Sequence, residues 1–598
     1  MDFPPFLFLL ILGLFSLETQ AQDKDKIKPI KVGIDGLTHT HVHWILGREE
    51  QGDIEIVGIA EPNRELAERY AKQHGYSMDI VFPSLEEMIE ATKPEAVTAF
   101  NPIYDHLKTV RICASQGIHV MVEKPLAVNY EHAVKMKAIA NRYGIHLLTN
   151  YETSWYPSNA FAYGILHSDQ SIGEVRKIVV HDGHQGPKEI GVNEEFLEWL
   201  TDPVLNGGGA ITDFGCYGAN LATWLMKGER PLSVYAMTQQ IKPQVYPKVD
   251  DDATIILRYP QAQVIIQASW NWPFSRKDLH LYGETGYVYA DNGVDVRYRL
   301  KEELPEKKLS LAGRSVQPHD PFAYLQQVVR GAHSPPPFDL SSLENNMIVM
   351  EILEAAKQSA ATGKEVKLAP GLSPKDVISL HADAELVKIS DHLYLHRTYT
   401  PTQGFGRVAS NGLVYGKKGA AILFDTPMSE ELTADILDYV KAELGWEIKA
   451  AVINHFHTDG GMGGIKTLHE RGIQTYAHTK TFEKAKSEKL PLPMVEMKDT
   501  YDLEIGALKV QNRYFGPGHA PDNIVSYLPE ERLLFGGCMI KCIGAGKGYL
   551  GDADVEKWPQ TVKAVEMAFP EAEIIIPGHG PHGGRDLLQY TQKLFDKP

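Results

Sequence analysis

The chain has 598 residues, of which 43% are hydrophobic and 23% are charged. This mixture is typical of soluble globular proteins and excludes a disordered, collagen-like or coiled-coil chain. The length exceeds what one hydrophobic core can hold. Acidic residues number 77 and basic residues 60, so nucleic acid and anionic lipid are not expected as partners. Four cysteines are too few for a disulfide scaffold.

The N-terminus is typical of an export signal. Residues 6–15 (FLFLLILGLF) form an apolar run shorter than the roughly 20 residues of a membrane span. Thr19 and Ala21 place small residues where cleavage after Ala21 requires them. Asp2 and the lack of Lys or Arg before the run are atypical, which leaves an uncleaved anchor as the alternative. We predict a cleaved signal peptide over residues 1–21 and a periplasmic protein without a membrane span.

Residues 22–150 are predicted to form a Rossmann-like α/β domain. Apolar segments at 30–35, 54–60, 96–100, 119–123 and 146–149 alternate with helical patterns such as 64–74 and 130–143, which implies a parallel sheet. Gly36 follows the first segment, where a dinucleotide pyrophosphate meets a helix N-terminus. Glu61 ends the second segment and is a candidate for the ribose 2′-hydroxyl. The alternative is a solvated carboxylate at a strand end.

Residues 151–370 are predicted to form an α+β domain with an antiparallel sheet. Strands are expected at 233–239, 253–258, 263–270 and 278–282, within a stretch from 175 to 300 that lacks intervening helices. A helical stretch at 320–362 is interrupted by three prolines at 335–337. Residues 371–384 are predicted to be a linker. A further domain is predicted over residues 385–598, with its first strand at 389–396.

The front half of the chain, from about residue 29 to 368, resembles the Gfo/Idh/MocA family of glucose–fructose oxidoreductases and inositol dehydrogenases. The resemblance rests on the Glu123-Lys124-Pro125 motif, the stretch GGGAITDFGCYGAN (207–220), and the segments DPFAYLQQVVRG and AAKQSAATGKEVKL. It implies NAD bound near Gly36, Glu61 and Lys124, with Asp213 and Tyr217 at the substrate. Of the pattern G-x-G-x-x-G only the first glycine is present, because Thr38 and His41 occupy the other two positions. Side chains there crowd the pyrophosphate, so we predict little turnover of NAD.

The histidines of the stretch His39-Thr40-His41-Val42-His43 alternate as the chain enters a helix. Residues in this spacing do not point to one side, and no cysteine or acidic residue is near in sequence. We therefore predict a structural or sugar-contacting role for them in preference to metal binding.

A metal site is predicted in the last third of the chain. The apolar strand at 449–454 leads into His455-Phe456-His457-Thr458-Asp459. Two histidines one residue apart can face one cavity, and Asp459 can reach a second metal, which suits two zinc ions. His519, Cys538 and His579 each lie in a glycine-rich loop after an apolar or aromatic run. One such residue is ordinarily structural, but four motifs in this order favour a dinuclear zinc site.

From about residue 385 onward the chain resembles class B metallo-β-lactamases of subclass one. The matching stretches are HFHTDG, VASNGLVYG, AILFDTP, GPGHAPDNIVSYLP, GGCMIK and LGDADVEKWP. Gly460 occupies the place of a histidine found in the wider superfamily, and Cys538 supplies the ligand. The resemblance implies an αββα fold, a first zinc held by His455, His457 and His519, and a second held by Asp459, Cys538 and His579.

The same resemblance implies hydrolysis of a β-lactam amide by a metal-bound hydroxide. Asp459 is expected to orient that nucleophile, and Lys541 to pair with the substrate carboxylate; the alternative for Lys541 is a solvated charge at a strand end. The loop 542–549 lacks the family's asparagine, for which Tyr549 is a candidate replacement. Residues 398–407 resemble the flap over the site, with Phe405 at the aromatic position.

The leading hypothesis is an exported zinc β-lactamase fused to an oxidoreductase-like domain. One alternative is an exported NAD-linked sugar oxidoreductase whose hydrolase domain acts on a non-antibiotic lactam, ester or sugar derivative. In another, the front half is a non-catalytic scaffold that binds carbohydrate or makes a homo-oligomer through its antiparallel sheet.

Overall fold

The computed structural model describes residues 27–312, 320–336, 338–368, 377–381, 383–402 and 406–596. The predicted signal peptide, half of the predicted linker (residues 371–376 and 382), and Phe405 lie outside these residues. We call residues 27–368 the front module and residues 377–596 the back module. Within the part of the chain that is described, no helix is long and apolar enough to cross a membrane.

The front module begins with a six-stranded sheet in which all neighbouring strands are parallel. The strand order β3-β2-β1-β4-β5-β6 is typical of dinucleotide-binding folds and places the ligand crevice where β1 and β4 diverge. The strands are β1 Ile30–Asp35, β2 Ile54–Ala60, β3 Val81–Phe82, β4 Ala96–Ala99, β5 His119–Glu123 and β6 Leu147–Asn150. The helices are α1 Val42–Leu46, α2 Arg64–His74, α3 Leu85–Thr92, α4 His106–Ala114 and α5 Tyr130–Tyr143.

The second part of the front module contains a nine-stranded sheet in the order β14-β13-β12-β11-β7-β10-β9-β8-β15. Its strands are β7 Val175–Gly183, β8 Ser233–Gln239, β9 Asp252–Arg258, β10 Gln263–Ser269, β11 Arg276–Gly283, β12 Tyr287–Ala290, β13 Asp295–Arg299, β14 Lys307–Ser310 and β15 Val366–Lys367. Its helices are α6 Pro157–Tyr163, α7 Glu194–Leu200, α8 Ala210–Asp213, α9 Gly215–Leu225, α10 Pro321–Val329 and α11 Leu343–Thr362.

Two expectations for this sheet are wrong. It is not wholly antiparallel, because β7 and β10 pair in parallel at its centre. The stretch from 175 to 300 also contains helices, since α7, α8 and α9 stand between β7 and β8. Helix α9 carries buried side chains nearly all round and lies between the sheet and α11. Such a helix has no polar face, so its hydrophobic period is hidden in the sequence.

The back module is a sandwich of two sheets covered by helices, which confirms the predicted αββα fold. The first sheet runs β16 to β23 in chain order and the second runs β24 to β28. The strands are β16 Val377–His381, β17 Ala384–Lys388, β18 Leu393–Thr402, β19 Gly406–Lys417, β20 Ala420–Phe424, β21 Glu447–Ile453, β22 Gln474–His478, β23 Val495–Met497, β24 Thr500–Ile505, β25 Leu508–Arg513, β26 Val525–Leu528, β27 Leu533–Gly537 and β28 Ile574–Pro577. The helices are α12 Glu430–Ala442, α13 Ile465–Glu470, α14 Thr479–Ser487, α15 Trp558–Ala568 and α16 Asp586–Phe595.

One hydrophobic core fills the space between these two sheets and two further cores hold the helices to the outer faces. Leu413 and Val452 of the first sheet meet Val510 and Phe535 of the second. Helices α12 and α13 cover the first sheet, and α15 and α16 the second. The predicted strand at 389–396 is instead a turn followed by β18, and β16 extends the sheet into residues predicted as linker.

Candidate metal centre

The loop after β21 carries the first candidate ligands. The side chain of His455 is buried and that of His457 is half-buried. The loop folds back sharply, since a Cβ at Gly461 would lie 2.5 Å from the carbonyl oxygen of His455 and one at Gly464 only 1.8 Å from Thr433 Oγ1. Glycine at both positions therefore lets the loop close and hold the two imidazoles on one side.

Three histidines meet at this loop. His457 Nδ1 lies 3.1 Å from His519 Nε2, and the ring centroid of His455 lies 5.0 Å from that of His457 and 5.4 Å from that of His519. One nitrogen from each ring falls within 4.8 Å of the others. Both ring nitrogens of His455 and Nδ1 of His519 are buried without a hydrogen-bond partner. Burial, reinforced by the neighbouring cationic groups, lowers the pKa of His455 and His519 well below the ordinary value.

Neutral imidazoles with unpartnered, buried nitrogens are the donor set that Zn²⁺ prefers. If no metal ion were bound, each of these unpartnered nitrogens would carry a desolvation cost of about 1–3 kcal/mol. The residues present therefore fit a zinc ion at His455, His457 and His519.

A carboxylate orients His457. Its Nε2 lies 3.0 Å from Asp552 Oδ2, and Lys484 Nζ lies 3.4 Å from the other oxygen of Asp552. With Nε2–H donating to the carboxylate, the lone pair of His457 is on Nδ1, the nitrogen that faces His519. This is the usual support of a metal-binding histidine. Asp552 is not among the predicted site residues, and its only signal in the sequence is the acidic pair in the matched stretch LGDADVEKWP.

The other predicted ligands form a second group next to the histidines. Cys538 Sγ lies 3.4 Å from His579 Nε2, while His579 Nδ1 donates to the carbonyl oxygen of Ala409 at 2.9 Å. That bond leaves the Nε2 lone pair facing the sulfur. A Cβ at Gly578 would lie 2.6 Å from Cys538 Sγ, so the approach requires glycine. Burial raises the pKa of the Cys538 thiol.

Asp459 is the most exposed of the six predicted ligands. Its backbone carbonyl accepts a hydrogen bond from Ser410 Oγ at 2.7 Å. Its carboxylate is close enough to influence the pKa of both Cys538 and His579. The structure thus gathers a cluster of three histidines, a Cys–His pair and one carboxylate at the same edge of the sandwich.

Lys541 is buried and is not a solvated charge at a strand end. Strand β27 ends at Gly537, and the chain turns before reaching Lys541. The backbone N–H of Lys541 donates to Thr591 Oγ1 at 2.9 Å, and its Nζ lies 5.2 Å from the centroid of the Trp558 ring. Burial lowers the pKa of the ammonium. A buried cation of this kind gains strongly from an anionic partner.

The loop that follows Lys541 borders the histidine cluster. Tyr549 is 54% exposed, and its ring centroid lies 5.9 Å from that of His457. The flap predicted at 398–407 corresponds to the hairpin of β18 and β19, whose tip with Phe405 lies outside the described residues.

In the front module, the first turn after β1 has glycine at only one of the three glycine positions of the G-x-G-x-x-G pattern. Gly36 has φ +81°, and a Cβ there would lie 2.8 Å from Asn101 Cβ, so glycine is needed. Thr38 Oγ1 accepts a hydrogen bond from Trp199 Nε1 of α7 at 3.0 Å and donates to the carbonyl oxygen of Phe100 at 3.3 Å. Helix α7 thus lies directly on the turn that would receive a pyrophosphate.

Glu61, the carboxylate expected at a dinucleotide ribose, and Glu123 of the family motif both have partners within the chain. Glu61 is buried, and its oxygens accept the backbone N–H of Leu37 and of Asn63, both at 2.8 Å. Glu123 Oε2 lies 2.8 Å from His41 Nδ1, and its other oxygen accepts from Asn150 Nδ2 at 2.7 Å. Both carboxylates thus accept hydrogen bonds from within the chain.

The alternating histidines make separate contacts. His39 Nδ1 accepts the backbone N–H of His41 at 3.1 Å, which places the ring proton on Nε2, and His43 Nδ1 lies 2.8 Å from His74 Nε2. His39, His41 and Glu123 have potential ligand atoms within 4.8 Å of one another. None of these three residues has a buried polar atom without a hydrogen-bond partner, in contrast to the orphaned nitrogens of His455 and His519.

The structure brings together the three residues predicted near the substrate and nicotinamide. Lys124 forms a buried ion pair with Asp213, whose other oxygen accepts from Trp270 Nε1 at 3.0 Å. Lys124 Nζ lies 5.2 Å from the ring centroid of Tyr217, and Lys277 Nζ lies 4.8 Å from the same ring. Lys277 is a member of this group that sequence analysis missed, because it stands on β11, far from the motifs.

The fold and the ligand cluster together define a two-part protein in which an oxidoreductase-like module precedes a metal-binding αββα module. Residues 30–151 match the oxidoreductase family with an NAD-binding Rossmann fold, and residues 166–289 match the GFO/IDH/MocA C-terminal domain. Residues 404–579 match the metallo-β-lactamase superfamily. The chain belongs to the metallo-β-lactamases through its back module and carries GFO/IDH/MocA domains in front.

The back module matches its relatives over most of their length, and these matches span little more than a third of this chain. A metallo-β-lactamase type 2 of Bacteroides fragilis is 35% identical over 221 residues, which are 37% of this chain and 88% of the relative. One from Pseudomonas aeruginosa is 34% identical over 213 residues, 35% of this chain and 83% of that protein. A solved metallo-β-lactamase from Pontibacter korlensis is 31% identical, with a TM-score of 0.35, and covers 36% of this chain and 100% of its own.

Proposed function

We propose that this protein is a zinc-dependent β-lactamase whose back module hydrolyses the amide bond of a β-lactam. The observation that carries the proposal is the cluster of His455, His457 and His519, whose buried nitrogens lack partners, beside the contacting pair Cys538 and His579. The relatives named metallo-β-lactamase support the choice of substrate class.

We assign one zinc to the three histidines and a second to Asp459, Cys538 and His579. Bound zinc supplies an acidified water at neutral pH and polarises a carbonyl oxygen. The chain's own contribution is orientation, since Asp552 holds the His457 ring and the Ala409 carbonyl holds the His579 ring. The carboxylate of Asp459, the most exposed ligand, would accept a hydrogen bond from the attacking water.

Lys541 is proposed to bind the carboxylate that β-lactams carry next to the reactive ring. Its ammonium is buried, so a charge-assisted hydrogen bond there is stronger than at the surface. Because the ammonium contacts a part of the substrate that does not react, Lys541 contributes binding energy in both ground and transition states. Its loss should therefore raise KM more than it lowers kcat.

For the front module, we propose a scaffold without nicotinamide turnover over an active oxidoreductase. The contacts of Thr38 with Trp199, of Glu61 with two backbone N–H groups, and of Glu123 with His41 support this choice. Export to the periplasm remains part of the proposal and is supported by the apolar run at 6–15.

The test is hydrolysis of the chromogenic cephalosporin nitrocefin by the purified full chain. We expect turnover with zinc, loss of turnover with a chelator, and recovery on adding zinc back. His455→Ala should lose most activity, whereas His469→Ala should retain it. His469 lies on α13 outside the cluster, with its Nε2 2.9 Å from Thr475 Oγ1. Zinc-independent turnover, or full activity of His455→Ala, would reject the proposed site.

A further inference from the structure

The segment 542–549, which we call the bridging loop, touches both modules. At Gly544, where φ is +79°, a Cβ would lie 2.6 Å from Val134 Cγ1 and 3.4 Å from the carbonyl oxygen of Glu131. Val134 and Glu131 belong to the first turns of α5 in the front module. The loop backbone therefore rests directly on a side chain of the front module.

The start of α5 is packed at the same place. Tyr130, its first residue, packs against the front-module core and has Cys542 and Asp586 of the back module among its neighbours. Nearby, Arg230 Nη2 pairs with Glu351 Oε2 at 2.8 Å, and Glu351 also lies close to Asp586. The contact at Gly544 is thus part of a wider meeting of the two modules.

The opposite end of the bridging loop lies at the candidate metal centre. A Cβ at Gly548 would lie 3.4 Å from Lys541 Nζ, and Tyr549 follows with its ring near His457. The back module also holds the loop. Tyr590 Oη of α16 donates to the carbonyl oxygen of Ala545 at 2.6 Å, Ile543 packs against the core under α15 and α16, and Lys547 Nζ lies 5.8 Å from the centroid of the Phe595 ring.

The bridging loop contains one turn, in which the Ala545 N–H donates to the carbonyl oxygen of Cys542 at 3.1 Å, and is otherwise rich in glycine. Three of its eight residues are glycines, and Gly546 and Gly548 are exposed. Glycine backbone has the most conformational freedom to lose, so external contacts decide which conformation such a loop adopts. The contacts that we identify come from α16 on one side and from α5 on the other.

We propose that Val134 is a positioning residue for the β-lactam site, acting from the front module through the bridging loop on Lys541. The fused front module would thereby set how tightly the back module binds the substrate carboxylate. This proposal rests on the function proposed for Lys541, and it gives the fusion a physical consequence that a single-module lactamase lacks.

The test is Val134→Ala in the zinc-loaded full chain. Removing two methyl groups from the contact should loosen the loop and raise KM for nitrocefin about three- to tenfold, with kcat within about twofold. Hydrogen exchange of the peptide spanning 541–549 should become faster, and zinc content should not change. Val134→Ile, which keeps the branched side chain, should have the KM and the exchange rate of the wild type.

The matched control is Ile139→Ala on the same helix. Ile139 lines a surface cavity of the front module with Lys93 and Arg111, away from the loop. It should destabilise the front module comparably but leave KM and loop exchange as in the wild type. Tyr590→Phe removes the hydrogen bond from α16 to the loop and should change KM and loop exchange in the same direction as Val134→Ala.

Three outcomes would overturn the proposal. One is a KM and a loop exchange rate of Val134→Ala equal to those of the wild type. Another is an equal change in Ile139→Ala, which would show a general effect of destabilising α5. The third is an effect of Tyr590→Phe without one of Val134→Ala. If the wild type hydrolyses no lactam, the proposed function fails, and the exchange rates alone still decide whether Val134 positions the loop.

Discussion

Asp552 Oδ2 lies 3.0 Å from His457 Nε2, and His457 Nδ1 lies 3.1 Å from His519 Nε2. The carboxylate thus determines which nitrogen of His457 is available to a metal. The three residues are separated by 62 and 33 positions in the sequence, so the relationship exists only in the folded module.

Replacing Asp552 by Asn should weaken zinc binding at the histidine cluster by about 10–100-fold, the usual effect of losing the support of a ligand. An amide has no negative charge to hold the Nε2–H of His457. Zinc dissociation constants from competition with a chromogenic chelator provide the measurement. Asp554→Asn, in the same acidic pair, is the control. Equal affinity of Asp552→Asn and the wild type would contradict the assigned role.

The protein purified with zinc should contain two zinc ions per chain, both in the back module. Six candidate ligands divide into the three histidines and the group of Asp459, Cys538 and His579. Metal analysis should fall from about two to about one in His455→Ala, since one of the two ligand groups remains. The urea unfolding transition of the front module should not move. One zinc or none in the wild type would reject the dinuclear assignment.

The front module should not bind NAD tightly. Trp199 of α7 bonds Thr38 at the turn that would receive a pyrophosphate, so a dinucleotide there would have to displace a contact within the chain. Calorimetric titration of the full chain with NAD, NADH and NADP should show no binding below the millimolar range. A micromolar dissociation constant, or reduction of NAD by any sugar, would show that the cleft opens.

Acid should destabilise the front module through His106. Its Nδ1–H bonds the carbonyl oxygen of Leu126 at 3.1 Å, and its Nε2 is buried without a partner. Burial lowers the pKa of His106 to about 4. Between about pH 4 and pH 6.5, this histidine therefore binds a proton in the unfolded chain but not in the folded chain. The contribution is complete above pH 6.5 and is lost as the pH falls toward 4, with a total of ~3 kcal/mol.

The measurement is the free energy of unfolding of the front module in urea, followed from pH 7.5 to 4.5. His106→Asn keeps a donor for Leu126 but cannot be protonated, so its loss of stability on acidification should be smaller than that of the wild type. Parallel pH curves for the two proteins would refute a role of His106.

Cys538 and Cys542 should remain unpaired in the zinc-loaded protein. All four cysteines are free in the structure. The chain turns after Gly537, so these two cysteines are not separated by extended backbone. Cys542 Sγ is directed toward Gly580, where a Cβ would lie 2.4 Å away, while Cys538 Sγ faces His579. Mass spectrometry should count four thiols, and Cys542→Ser should keep full activity but slow oxidative inactivation after zinc removal. A Cys538–Cys542 bridge in the loaded protein would contradict the ligand assignment.

Much of the fold follows from local patterns. The strands at 30–35, 54–60, 119–123 and 233–239 and the helices at 64–74 and 130–143 form with the predicted bounds. Each is an apolar run or an amphipathic period ended by Gly or a polar residue, so its signal is contained within the element itself. The candidate ligands were also predictable, because they follow apolar strands whose ends meet at one edge of the sandwich.

Only the tertiary structure decided which distant groups meet. Four contacts join segments that are far apart in the chain. They are Asp552 with His457, Trp199 with Thr38, Lys277 with Tyr217, and Val134 with Gly544. The parallel pairing of β7 with β10 and the placement of helices α7 to α9 between β7 and β8 also depend on contacts between distant segments. A sequence records which side chains are available and how each segment folds locally. The free energy of a long-range contact depends on the burial and geometry that the whole packed chain imposes, and these appear in no single segment.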